Sequence, residues 1–148
     1  MSYDYRYSDG NRIEKIAGHT ITKVEISQSK EYLRITTDRR TFVFEAKGDC
    51  CSHSWFEAID DPQAMLGKVV EVEEIDIPFS KTRPEQVDYE YIQYYGVRFT
   101  TAAGRATVEY RNSSNGYYGG SLGAVESVPE KEPMNVLAEA KPAKRGKR

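Results

Sequence analysis

The chain has 148 residues and a mass of 16.9 kDa, the size of one domain. Hydrophobic residues make up 39% and charged residues 30%, which supplies one modest core and leaves no run near the ~20 apolar residues that span a bilayer. With 21 cations against 23 anions, the net charge of −2 excludes a protein that is basic throughout and coats nucleic acid, and two adjacent cysteines, Cys50 and Cys51, exclude a secreted disulfide framework.

Residues 1–12 read as a flexible N-terminal arm. They are polar and lack an apolar signal core, but Tyr3, Tyr5 and Tyr7 are spaced by two, which in a strand puts three rings on one face. Residues 13–123 read as a single domain. Thr20–Ile26 alternates, with Thr20, Thr22, Val24 and Ile26 on one face and Ile21 opposite. Tyr32–Thr37 and Thr41–Ala46 flank the polar turn Asp38-Arg39-Arg40 and predict a hairpin. Ser54 and Glu57 then have capping-box spacing, with Trp55, Phe56 and Ile59 to one side, so one short helix is predicted from Ser54. Asp61-Pro62 stops it and begins another turn, and Gly67 suits a left-handed terminator.

Lys68–Ile77 alternates Val70, Val72 and Glu74 against Val69, Glu71, Glu73 and Ile75, and its acidic residues read as a solvated face. Residues 78–89, with Pro78 and Pro84, read as a long loop. Glu90–Thr100 and Arg105–Arg111 form a second hairpin. Residues 124–148 read as a disordered basic tail. From residue 126 onward it carries six cations and four anions, which leaves −4 on residues 1–125.

The chain also echoes itself. Leu33–Thr37, a turn and Arg40–Glu45 resemble Val97–Thr101, a turn and Arg105–Tyr110, and Gly18–Ile26 resembles Gly67–Ile75. The predicted fold is therefore α+β: a mainly antiparallel sheet of about six strands in two meander halves, with one short helix between them.

The echo has a positional consequence. The peptide Gly48–Trp55 follows the third strand of one half, and Arg111–Gly120 follows the third strand of the other, so the two most unusual peptides are expected to line one pocket. The second is the composition of a recognition loop: Asn112 and Asn115 both donate and accept, Tyr117 and Tyr118 can stack on a planar ligand, and Arg111 can neutralise an anion or pair with a neighbouring strand glutamate. Asp49, Cys51, Ser52 and Trp55 form the opposite wall. The ligand types around Cys50, Cys51 and His53 suit zinc, but adjacent cysteines seldom reach one tetrahedral ion, so no metal and no cofactor is expected. A thiol at a helix start has a lowered pKa, which keeps a nucleophilic cysteine open.

Asp49-Cys-Cys-Ser-x-Ser-Trp55 followed by Asn112-Ser-Ser-Asn-Gly-Tyr-Tyr-Gly-Gly120 resembles a family of small uncharacterised proteins encoded mostly by bacteriophages, over residues 16–123. The resemblance implies a phage origin and the host cytoplasm, and no assigned chemistry. The expected function is a non-enzymatic accessory protein that binds a small polar ligand such as a nucleotide and counters host defence. The alternatives are a protein–protein module that inhibits or redirects a host enzyme through a tyrosine-rich surface, and a small cysteine-dependent hydrolase. Nucleic acid is expected to meet only the tail, weakly; no membrane is expected, and self-association is left open.

Overall fold

The described residues form nine strands, all antiparallel to their neighbours. They are β1 (Thr20–Ser27), β2 (Tyr32–Thr37), β3 (Thr41–Gly48), β4 (His53–Ile59), β5 (Gly67–Asp76), β6 (Tyr91–Thr101), β7 (Gly104–Ser114), β8 (Gly120–Val125) and β9 (Met134–Glu139). A computed structural model describes residues 13–48, 52–76, 91–114 and 120–141. Among these, the only helical pieces are two 3-10 turns, η1 (Ile13–Ile16) and η2 (Pro62–Met65).

The strands run in the order β4-β7-β6-β5-β1-β2-β3-β8, with β9 beside β1. β1–β3 and β5–β7 are therefore two three-stranded meanders, joined where Thr20 pairs with Lys68 and Ile21 with Gly67. Each meander lends its following strand to the other: β4 leaves β3 and pairs with β7, and β8 leaves β7 and pairs with β3. Exchanging β1–β4 for β5–β8 reproduces every one of these pairings, so the topology has an internal two-fold. The ladder sets the equivalence as Thr41 to Arg105, one residue out of step with the echo read from sequence.

The α+β class, the count of about six strands and the helix from Ser54 are all corrected. Residues 53–59 are a strand because Phe56 is fully buried opposite Tyr110, while Trp55 and Glu57 alternate outward. A bulge between Phe56 and Ala58 then turns Ile59 back inward, so the buried residues mimic helical spacing. Of the capping-box residues, Ser54 pairs with Asn112 in the ladder and Glu57 is the bulged residue, its carboxylate accepting the Trp55 indole N–H, since a local preference yields to burial on a sheet. Pro62 does open a turn, η2, but Asp61 makes no side-chain cap bond there. Gly67 has φ +108, a left-handed conformation at the entry to β5.

Bulges also correct two strand faces. Thr22 is the extra residue in β1 and Val70 in β5, facing the equivalent pairs Thr36/Thr37 and Thr100/Thr101. Ile21 thereby joins Val24 in the core, and Val69 joins Val72, while Val70 is left 68% exposed. The tail reading is corrected between residues 134 and 139, which form β9: Lys23 to Ser27 hold its backbone in a ladder, and Ala138 is buried. The arm at 1–12, the loop at 78–89 and the end of the tail beyond Lys141 lie outside the described residues.

One core draws on both meanders. Leu33, Ile35 and Phe44 from one and Val97, Phe99 and Val108 from the other pack with Ile16, Phe56 and Met65. Each fully buried side chain of this size contributes about 1.5–3 kcal/mol relative to exposure.

Candidate functional site

The two peptides singled out in the sequence are the two crossovers of the exchange, and their described ends lie side by side. Gly48 pairs with Gly120, His53 with Ser113, and Ser54 with Asn112. The Ser54 hydroxyl is 2.7 Å from Asn112 Oδ1 and 3.1 Å from the Lys47 carbonyl, and Asn112 also meets Gln93 at 3.3 Å. Crossing chains need close backbone approach. A Cβ on Gly120 would lie 2.6 Å from Ser54 Oγ and 3.0 Å from Asn112 Cβ, and one on Gly48 would strike Ser52 Oγ.

Four of the predicted site residues fall among the described ones, and they do not converge on one pocket. Asn112 is completely buried and serves the crossing. Arg111 turns to the outer face, where its Nε donates to Glu109 at 2.6 Å, its Nη1 is 3.8 Å from Glu57 and its guanidinium lies 4.7 Å from the Tyr94 ring centre. The strand-glutamate alternative for Arg111 is thus the one realised. Trp55 lies on that face too, stacked on His53 at 5.3 Å, with its indole N–H donating to Glu57 at 2.8 Å. Ser52 lines a shallow, open cavity of about 380 Å³ with Glu31, Glu45, Lys47 and His53. Asp49, Cys51, Asn115, Tyr117 and Tyr118 lie outside the described residues. Among the described residues, no cluster of His, Cys, Asp or Glu is placed to hold a metal ion.

The internal two-fold relates one wall of the Ser52 cavity to a wall of another cavity of about 350 Å³. Glu31, Ala46 and Ser54 of the first correspond to Tyr95, Tyr110 and Gly120 of the second. Its walls are Tyr95, Tyr110, Phe44, Leu122 and Ala124, and Glu14, Glu74 and Ser121 add polar groups. The two phenol rings stack 4.9 Å apart at 15°. The Tyr95 hydroxyl accepts the Gly120 N–H at 3.0 Å, which fixes the start of β8 against β6. Burial holds the Tyr110 phenol protonated well above its usual range, and Glu74 and Tyr95 push in the same direction.

This cleft can take a flat group along the phenol pair and a hydrogen-bond donor at its carboxylates. Its two glutamates oppose a phosphate. Of its lining, the sequence offers Gly120, the last residue of the predicted recognition loop, and Tyr95, expected on the tyrosine-rich surface of the protein–protein alternative. Tyr110 sits inside an alternating strand, where nothing distinguishes it from core, and the inward parity of both rings comes from the register.

No helix among the described residues is long and apolar enough to cross a membrane. No solved structure matches the chain. The chain is similar to an uncharacterized protein of Acanthamoeba polyphaga mimivirus, 32% identical over 111 residues that cover 69% of this chain and 83% of the relative. That source is a virus but not a bacteriophage. A family model described as a domain of unknown function, DUF7448, matches residues 14–123, and the chain belongs to that uncharacterised viral family.

Proposed function

We propose that the protein is a non-enzymatic viral accessory protein that binds a small polar ligand in the cleft between β8 and the second meander. The observation that supports this is the Tyr95–Tyr110 pair, stacked at 4.9 Å along one wall of a 350 Å³ cleft that Glu14, Glu74 and Ser121 rim. Stacked phenols suit a planar ring, and carboxylates suit its N–H groups, so a nucleobase or nucleoside fits better than the phosphate end of a nucleotide. A bacteriophage-type origin, a place in the host cytoplasm and a role against host defence belong to the same proposal and rest on the motif resemblance.

A melting-temperature screen with nucleosides, nucleotides and dinucleotides tests it. A ligand present at 100 times its dissociation constant stabilises by about 2.7 kcal/mol, a shift of several degrees for a chain of this size. The shift is expected with nucleosides and is expected to vanish in Tyr95→Ser. No shift with any member of the panel removes the proposal.

The second reading, a protein–protein module, is favoured by a different observation. His53, Trp55 and Arg111 adjoin one another on the outer face of β4 and β7, with the buried ring of Tyr94 on β6 beneath the Arg111 guanidinium. Tryptophan, tyrosine and arginine are the side chains that most often anchor interfaces. A host protein that co-purifies with the wild type and is lost in Trp55→Ala supports this reading over the first.

A further inference from the structure

The cleft does not end at Ala124. A second cavity of about 290 Å³ shares Phe44 and Ala124 with it and adds Arg40, Phe42 and Glu126. Strand alternation explains the continuity. Phe44 pairs with Ala124 and Ala46 with Leu122, so these four side chains lie on one face of the β3–β8 ladder. Phe42 continues that face, its ring parallel to that of Phe44 within 6°. The two cavities therefore form one trough along β8, whose six residues span roughly 17 Å.

The ends of the trough carry opposite charge. Glu14 and Glu74 stand beside the phenol pair and do not line the far cavity. Arg40 stands in that far cavity, exposed, with its guanidinium 4.4 Å from the Phe42 ring centre. Arg34, Arg98 and Arg111 each hold a carboxylate in an ion pair. Among the described residues no carboxylate does so for Arg40, Glu126 in the same cavity included. The internal two-fold sets these features apart from the fold. Glu31, Ala46, Ala106 and Gly104 occupy the positions equivalent to Tyr95, Tyr110, Phe42 and Arg40. The other half builds the same ladder without the rings or the cation.

We infer that the ligand is a nucleoside carrying a phosphate, with its base along Tyr95 and Tyr110 and its phosphate at Arg40. A guanidinium presents forked donors that match phosphate oxygens. The reverse orientation would set the phosphate against Glu14 and Glu74, so the charges fix the direction. The inference rests on the ligand reading and adds the second end of the molecule.

Calorimetric titration of the full chain with adenosine, guanosine and their mono- and diphosphates tests it. A phosphorylated form is expected to bind about tenfold tighter than its nucleoside, as a charge-assisted contact supplies. In Arg40→Gln that ratio is expected to fall to about one. Glu126→Gln removes a carboxylate from the same end and should raise the ratio; a fall there would put the phosphate elsewhere and overturn the inference. So would equal ratios in the wild type and Arg40→Gln. Nucleosides that bind while their phosphates bind no tighter overturn the inference and leave the ligand reading standing. No binding by any of the compounds removes both.

Discussion

Ser54 and Asn112 meet on partner strands with Oγ and Oδ1 2.7 Å apart, both out of water, at the point where the chain crosses itself. Each belongs to a different crossover, so this contact ties the exchanged strand β4 to β7 of the other meander. Buried polar groups that lose a partner cost about 1–3 kcal/mol. Asn112→Ala is expected to lower unfolding stability by about 2 kcal/mol and Ser54→Ala by about 1 kcal/mol, with the double variant losing less than the sum. Urea titrations of the four chains check it; strict additivity would show that the two side chains are not coupled.

Gly120 has no room for a methyl group. Gly120→Ala would place Cβ 2.6 Å from Ser54 Oγ, so a loss of about 1–3 kcal/mol is expected, as for overpacking elsewhere. Adding Ser54→Gly removes the atom in the way. The cost of Gly120→Ala should be smaller in a Ser54→Gly background than in the wild type, and an equal cost in the two backgrounds would place the strain somewhere other than the crossing.

His19 links folding to pH. Its Nδ1 lies 2.9 Å from Thr37 Oγ1, its ring sits edge-on to Phe42 at 5.2 Å, and it is 8% exposed. Burial first, then Arg39, lowers its pKa in the fold, while the unfolded chain protonates near 6.5. The unfolded state therefore binds the proton more readily: the stabilisation is full above pH 6.5 and is lost as pH falls below it. Glu25, whose carboxylate Arg34 holds protonation-resistant through bonds of 2.8 and 2.9 Å, contributes in the same sense only below its unfolded value of 4.5. Unfolding free energies between pH 7 and 5 should slope downward in the wild type and run flatter in His19→Gln; equal slopes would clear His19 of the effect.

Tyr110 acts at the other end of the scale. Its phenol is raised in the fold by burial, against 10.0 unfolded, so the fold keeps it neutral. Stability is full below pH 10 and declines as pH rises above it, because the unfolded chain releases that proton first. In an absorbance titration one tyrosine should ionise only together with unfolding. Tyr110→Phe should remove that late step and retain more stability in alkali than the wild type. A titration in which every tyrosine ionises before unfolding contradicts this.

The first hairpin was legible because Tyr32–Thr37 alternates and Thr41–Ala46, rich in Thr, Val and Phe, follows it across a polar turn. Three other features were not. A single extra residue, Thr22 in β1 and Val70 in β5, reverses which side chains enter the core, and nothing in the local sequence marks it. In β4, seven residues with a bulge present both periods at once, and a pairing with β7, distant in the chain, decided between them. Met134–Glu139 carries an Asn and leaves Val136 half exposed, so its strand character comes from the edge of β1 rather than from its own pattern. The candidate site shows the same division. The equivalence of the two unusual peptides followed from the repeat, whereas the cleft walls Tyr95 and Tyr110 depend on inward parity that only the register supplies.

The exchange of β4 and β8 bears on how the chain is made. A ribosome releases the first meander some seventy residues before it has synthesised Gly120–Val125, the strand that flanks β3. Until then that side of β3 is bare, and β4 has no β7 to join. Neither half can finish alone, so maturation waits for nearly the whole polypeptide, a long-range closure that slows folding and gives chaperones a window on the nascent protein.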